Sequence, residues 1–109
     1  REDMFLMSVD EDEYGVKPMN CPGHCYLFGT RKHSYRELPI RFADFSRLHR
    51  FEASGTLAGL TRVRSMAQDD AHIYCTPHQL DGELERFVAM TREVYGAFGF
   101  DRIEASLQT

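Results

Sequence analysis

Long apolar runs are missing from this sequence. Its hydrophobic stretches are only a few residues each, far short of the roughly 20 that a bilayer-spanning helix requires, so a membrane-spanning helix is excluded. An excess of basic residues is missing too. Thirteen Lys and Arg stand against 17 Asp and Glu for a formal charge of -4, which speaks against a broad cationic surface for nucleic acid and leaves room for local cationic sites. Cysteine is sparse and odd in number, three in all, so a disulfide framework is not expected. No basic stretch followed by an apolar one stands at the start, and a reducing compartment is the expected setting. Repeats, low-complexity tracts and Pro/Gly/Ser-rich linkers are also absent, which makes one unit the simplest reading. With 42% apolar residues, the 109-residue chain has the composition of a globular domain or part of one. It opens on Arg1 and closes on the strand-like alternation of residues 103–107, as a piece of something longer would.

What is present is patterned. Residues 4–10 read as a strand, the acidic run Asp10-Glu11-Asp12-Glu13 as a solvated turn, and Tyr14-Gly15-Val16-Lys17 as a second strand. Pro22 suits the first position of a short helix reaching about His33, with Asn20 or Cys21 before it. Aromatic and β-branched content predicts a strand from Ile40 to Glu52 and another from Arg62 to Cys75. The Gly/Ser/Thr-rich segment between them reads as the loop of a long antiparallel hairpin. Beyond Thr76-Pro77, apolar residues at three- and four-residue steps (Leu80, Leu84, Phe87, Val88, Val94, Tyr95) predict an amphipathic helix ending at Gly99. That helix should cover one face of the sheet, giving an α+β fold of antiparallel sheet flanked by helices.

Strand alternation sorts the segment from Arg62 to Cys75 into two faces. Arg62, Arg64, Met66, Gln68, Asp70, His72 and Tyr74 share one. Val63, Ser65, Ala67, Ala71, Ile73 and Cys75 lie mostly on the other, small and apolar enough to pack under a helix. An ordinary exposed strand is also polar, but two guanidiniums, an amide, a carboxylate and an imidazole in succession are chemically more varied than solvation requires. Arg50 and Glu52 sit two apart on the facing strand. An arginine there can hold phosphate oxygens with its fork and a carboxylate can accept from an exocyclic amine, although a surface ion pair is the plainer alternative. Cys21, His24 and Cys25 in one segment and His72, Cys75 and His78 in another leave a closed structural zinc site conceivable. The facing of His72 and Cys75 to opposite sides speaks against it. Cys25 and Cys75 read as small buried hydrophobes, and spacing alone leaves Cys21 and His72 open.

The segments Lys17-Pro18-Met19-Asn20-Cys21-Pro22-Gly23-His24, His49-Arg50-Phe51-Glu52 with the loop to Leu60, Arg62-Val63-Arg64, and Gln68-Asp69-Asp70-Ala71-His72-Ile73-Tyr74-Cys75 closely resemble the catalytic core of the threonyl-tRNA synthetases. These are class II aminoacyl-tRNA synthetases, and the resemblance runs from about Met4 to Phe100. It implies a partial class II catalytic core, containing motif 2, of a ligase that activates threonine with ATP and transfers it to tRNA(Thr). It further implies Cys21 and His72 as two of three ligands of a zinc ion that takes the threonine amino and hydroxyl groups. Asp70 is implied as acceptor of the threonine hydroxyl, Gln68 as a polar neighbour of the substrate, and Met19 as a residue beside the pocket. Arg50 is implied at the ATP α-phosphate and the reacting carboxylate, Glu52 at the adenine amine, and Arg62 on the phosphate side, with magnesium accompanying ATP.

Two departures from the family pattern are conservative: Met66-Ala67 where an aromatic and a threonine are usual, and Tyr74 where phenylalanine is common. The third zinc ligand and the motif 3 arginine are expected after Thr109, and the motif 1 dimer element before Arg1. The anticodon-binding domain lies outside the chain, and no editing domain is seen in it. Residues 1–109 alone are therefore expected to be inactive. The parent is expected to be a cytoplasmic homodimer, with an organelle as the alternative location and no membrane partner. A non-catalytic module that keeps the fold, and the small structural-zinc domain, are the competing readings.

Overall fold

The computed structural model describes residues 3–106. Its contacts form two compact units that divide after Tyr74, where the sequence reads as one. The reason is the range of the bonding. Every strand pairing among the described residues lies in the first unit, while the second is built on a helix whose backbone bonds are local.

The first unit opens with a hairpin of β1 (Leu6–Val9) and β2 (Asp12–Gly15), in which Val9 pairs with Asp12. Only Asp10 and Glu11 are left to turn the chain, so half of the acidic run belongs to a strand. Asp10 takes φ 56°, a left-handed conformation that Asp tolerates better than most residues. Helix α1 (Cys21–Gly29) follows, with Asn20 as its N-cap and Pro22 in its first turn. It stops at Gly29, four residues before His33. Thr30 ends it by donating both its N–H and its hydroxyl to the Leu27 carbonyl.

The long hairpin is present but broken. β3 (Ile40–Asp44) pairs with β6 (Asp70–Tyr74), and β4 (Arg47–His49) with β5 (Ser65–Ala67), all antiparallel. One register runs through both pairs: Asp44 opposite Asp70 is followed, three residues further along each strand, by Arg47 opposite Ala67. The break comes from Asp44, whose side chain accepts the Ser46 N–H at 2.8 Å and diverts it from the ladder. Beyond β4 the ladder continues through the Arg50 N–H on the Arg64 carbonyl at 2.9 Å. A 3-10 turn (Ser54–Thr56) and an Ala58–Arg62 bridge then close the tip, with Gly59 at φ 49°. Among the described residues Leu48 of β4 is the one fully buried apolar side chain.

Within the first unit the polar face of β6 is the one that α1 covers. Asp70, His72 and Tyr74 are half-buried while Ala71 and Ile73 are exposed, because α1 packs on the polar face. Phe28 of α1 stacks on Tyr74 at 4.1 Å between ring centres, and His24 contacts Phe42, the cross-strand partner of His72.

In the second unit, α2 (Pro77–Ala97) starts with Pro77 at its first position, and the Thr76 N–H donates to Gln79 Oε1 at 3.0 Å. Gly99 at φ 82° ends it, with the Phe100 N–H returning to the Tyr95 carbonyl. Residues 103–106 form no strand; Leu107, the last residue of the expected alternation, lies outside the described residues.

Candidate active site

The segment 17–24 is the seam of the site. Its backbone runs beside β4, with the His49 N–H donating to the Lys17 carbonyl at 3.2 Å and Arg50 Nε to the Pro18 carbonyl at 3.1 Å. Arg50 is thereby fastened to the residues that lead into α1. Its terminal guanidinium nitrogens have no hydrogen-bond partner among the described residues. Met19 is the next residue and is about half exposed. It lines an open cavity of about 580 Å3 with Met4, Lys17, Pro18, Asn20 and Asp44.

Cys21 and His24 are three apart and so share a face of α1. His24 is buried, and its Nδ1 lies 2.6 Å from Nδ1 of His72 on β6. The thiol of Cys21 is free and exposed. Cys25 is exposed rather than buried, and Tyr74 donates its hydroxyl to the Cys25 sulfur at 3.5 Å. That bond, then desolvation and the charges of the Cys25 and Cys21 thiolates, push the Tyr74 phenol up to about 12. The hydroxyl that phenylalanine would lack thus joins β6 to α1.

Gln68 and Asp70 continue the His72 face and are half-buried. Gln68 Nε2 approaches the Met66 sulfur at 3.9 Å. Among the described residues nothing hydrogen-bonds the Asp70 carboxylate, whereas Asp44 opposite it is fully engaged by Ser46 and Lys17. The Ser46 side chain, Lys17 and the Ser46 N–H hold the Asp44 carboxyl down at about 2.

Further along the hairpin, Glu52 Oε2 accepts from both Nε and Nη2 of Arg62, at 3.2 and 2.9 Å. The plainer alternative, a surface pair of Arg50 with Glu52, is not the one that forms. Arg64 donates Nε to the Glu52 carbonyl at 2.9 Å and lies over the Phe51 ring.

The structure therefore gathers the sequence candidates into two clusters. His24, three residues after Cys21 on α1, meets His72 of β6, with Asp70 and Gln68 on the same strand face. Glu52 and Arg62 meet near the hairpin tip, and Arg50 with Met19 lies on the seam. Sequence reasoning missed Lys17, Asn20 and Arg64 as parts of this framework, and gave His24 no role outside a zinc quartet. The three-residue step from Cys21 to His24 was the available signal.

Among the described residues no three His, Cys, Asp or Glu side chains converge as a complete metal site. The closed quartet of Cys21, His24, His72 and Cys75 is therefore not formed. A zinc ion about 2.0–2.1 Å from each of two imidazoles would hold the nitrogens roughly 3.3 Å apart, and His24 and His72 are closer than that. The Cys21 thiol and the remaining ring nitrogen of His72 are nevertheless a sulfur and an imidazole donor, the kinds zinc prefers. They fit part of a site and need a further ligand.

Comparison with known proteins identifies similar chains. Residues 5–108 match the model of the tRNA synthetase class II core domain (G, H, P, S and T). The chain is 54% identical over 101 residues to the cytoplasmic threonine–tRNA ligase of Saccharomyces cerevisiae, covering 93% of this chain and 14% of that protein. It is 50% identical over 109 residues to the threonine–tRNA ligase of Bdellovibrio bacteriovorus, covering 100% of this chain and 17% of that one. A crystal structure described as the RNA binding domain of threonyl-tRNA synthetase from Cryptosporidium parvum superposes with a TM-score of 0.82 at 55% identity. The match covers 90% of this chain and 24% of that one.

Proposed function

Because the chain belongs to the tRNA synthetase class II core domain family, and its named relatives are threonine–tRNA ligases, we propose that it forms the threonine- and ATP-binding part of such a ligase. The observation that carries this reading is the half-buried strand face of Gln68, Asp70 and His72, with the Cys21–His24 turn of α1 packed against His72.

In this reading the threonine carboxylate attacks the α-phosphorus of ATP and pyrophosphate leaves; the resulting threonyl-adenylate then donates threonine to tRNA(Thr). The step needs charge neutralisation and alignment more than a general base. Arg50 supplies the first. With Nε held on the Pro18 carbonyl, its two terminal nitrogens are free to meet the α-phosphate and the carboxylate. Magnesium accompanies ATP, Glu52 accepts the adenine amine and Arg62 serves the phosphate side. Glu52 and Arg62 bond each other, so ATP would exchange part of that pair for its own contacts.

Asp70 accepts the threonine hydroxyl, with Gln68 and Met19 beside it. A site built to bond the hydroxyl rejects valine far more strongly than an apolar pocket could, because valine leaves the carboxylate unpaired. Cys21 and His72, with a further ligand, would hold a zinc ion, which when bound would supply a Lewis acid for the amino and hydroxyl groups. The word cytoplasmic in the yeast relative's name supports a cytoplasmic location, with an organelle as the alternative, since an Arabidopsis thaliana relative is named mitochondrial.

The test is threonine-dependent ATP–pyrophosphate exchange by the full-length protein, with residues 1–109 alone expected to show none. Absence of exchange from the full-length protein refutes the proposal.

A further inference from the structure

We infer that His24 is a positioning residue that sets the tautomer and ring orientation of His72, an inference that rests on the reading of His72 as a metal ligand. Three observations carry it. His24 Nδ1 lies 2.6 Å from His72 Nδ1, a hydrogen-bond distance between two ring nitrogens, so one donates and the other accepts. Their rings meet edge-on, at 74° and 4.7 Å between centres. His24 is also 8% exposed and wedged against Phe42, the cross-strand neighbour of His72, so its ring has little freedom to turn away.

The direction of the hydrogen bond decides the chemistry. If His24 donates, neutral His72 must carry its proton on Nε2 and has no lone pair left for a metal. When His72 donates from Nδ1, its Nε2 lone pair is free, and His24 is the acceptor with its own proton on Nε2. Ligating histidines commonly have the second ring nitrogen held in this way by an acceptor, and loss of such a partner typically costs about 10–100-fold in metal affinity. The Cys-x2-His spacing then has a divided meaning. One turn of α1 delivers the sulfur ligand at Cys21 and, three residues on, the group that orients the imidazole ligand on β6.

The experiment compares zinc affinity, by competition with a chromogenic chelator, in the full-length protein and in its His24→Asn, His24→Phe, His72→Ala and Cys21→Ser forms. Asparagine places an acceptor oxygen where the imidazole Nδ1 stood, and phenylalanine keeps the ring packing without an acceptor. A positioning role predicts affinity within a few-fold of wild type for His24→Asn and about 10–100-fold weaker for His24→Phe. A packing role predicts the opposite order, because the phenyl ring preserves the contact with Phe42. Zinc held equally well by His24→Phe, or lost as much by His24→Asn as by His24→Phe, would overturn the inference while leaving the ligands in place. Retention of zinc by His72→Ala and Cys21→Ser would instead remove the ligand assignment, and the inference with it. Substitution with cobalt adds a readout independent of activity: its visible ligand-field bands should shift in His24→Phe and stay near wild type in His24→Asn.

Discussion

Arg62 closes on Glu52 across the long hairpin, with Nε and Nη2 both directed at one carboxylate oxygen. The arginine side chain is 56% exposed and that of the glutamate 20%. An ion pair so open to solvent contributes only about 0–1 kcal/mol to stability. Its position, at the end of the hairpin where both residues were expected to serve ATP, gives it more bearing on binding than on folding.

Under the proposed function, Glu52→Gln in the full-length protein should therefore leave the melting temperature close to wild type and raise the KM for ATP by about tenfold or more, the scale of a lost charge-assisted hydrogen bond. Pyrophosphate exchange at varied ATP measures it. An unchanged KM for ATP would show that Glu52 only holds Arg62.

Tyr74 is tied to Cys25 through its hydroxyl, and its phenol is pushed up to about 12 from an ordinary 10. Because the folded value is the higher one, the protonated phenol stabilises the fold. That contribution is complete below pH 10 and is lost as the pH rises through 12. Ultraviolet titration of tyrosinate should find one group ionising near 12 that disappears in Tyr74→Phe; a wild-type curve superimposable on the variant's, apart from one ordinary tyrosine, would contradict the assignment.

Asp44 presents the opposite sign. The Ser46 side chain, Lys17 and the Ser46 N–H lower its carboxyl from 3.8 to about 2, so the charged form stabilises the fold. The contribution is present above pH 3.8 and is lost as the pH falls through 2. Carboxyl-carbon NMR titration should place Asp44 near 2, and Lys17→Ala should move it upward. No movement in Lys17→Ala would assign the shift to Ser46 alone.

Gly59 and Gly55 both lie near the hairpin tip, and a Cβ added to either meets nothing within 4 Å. Gly59 has φ 49° and Gly55 does not have a positive φ. Gly59→Val should thus destabilise by about 1–2 kcal/mol from backbone strain alone, whereas Gly55→Ala should be nearly neutral. Denaturant midpoints of the two variants test this, and equal midpoints would deny the strain.

Much of the candidate site could be read from the chain. Strand alternation places Gln68, Asp70 and His72 on one face because side chains in a strand repeat every two residues, whatever lies above them. Thr76-Pro77 and Gly99 bound α2 because the capping chemistry is local. The family motifs pointed to the tRNA synthetase class II core because their residue types and order are a property of sequence. Other features are not local. Periodicity distinguishes the two faces of β6 but does not say which one is covered, and α1 turned out to pack on the polar face.

The long strands were legible as a hairpin, while their interruption was not. A side-chain acceptor two residues before Ser46 competes with the ladder only in the conformation the fold imposes. Composition, motif order and element type were thus set by the sequence itself, through spacing and intrinsic backbone preference. Only the tertiary structure decided that His24 meets His72, that Glu52 takes Arg62 rather than Arg50, and that Tyr74 reaches Cys25. Each of these contacts joins residues ten or more positions apart, and a distance of that kind is fixed by packing and register.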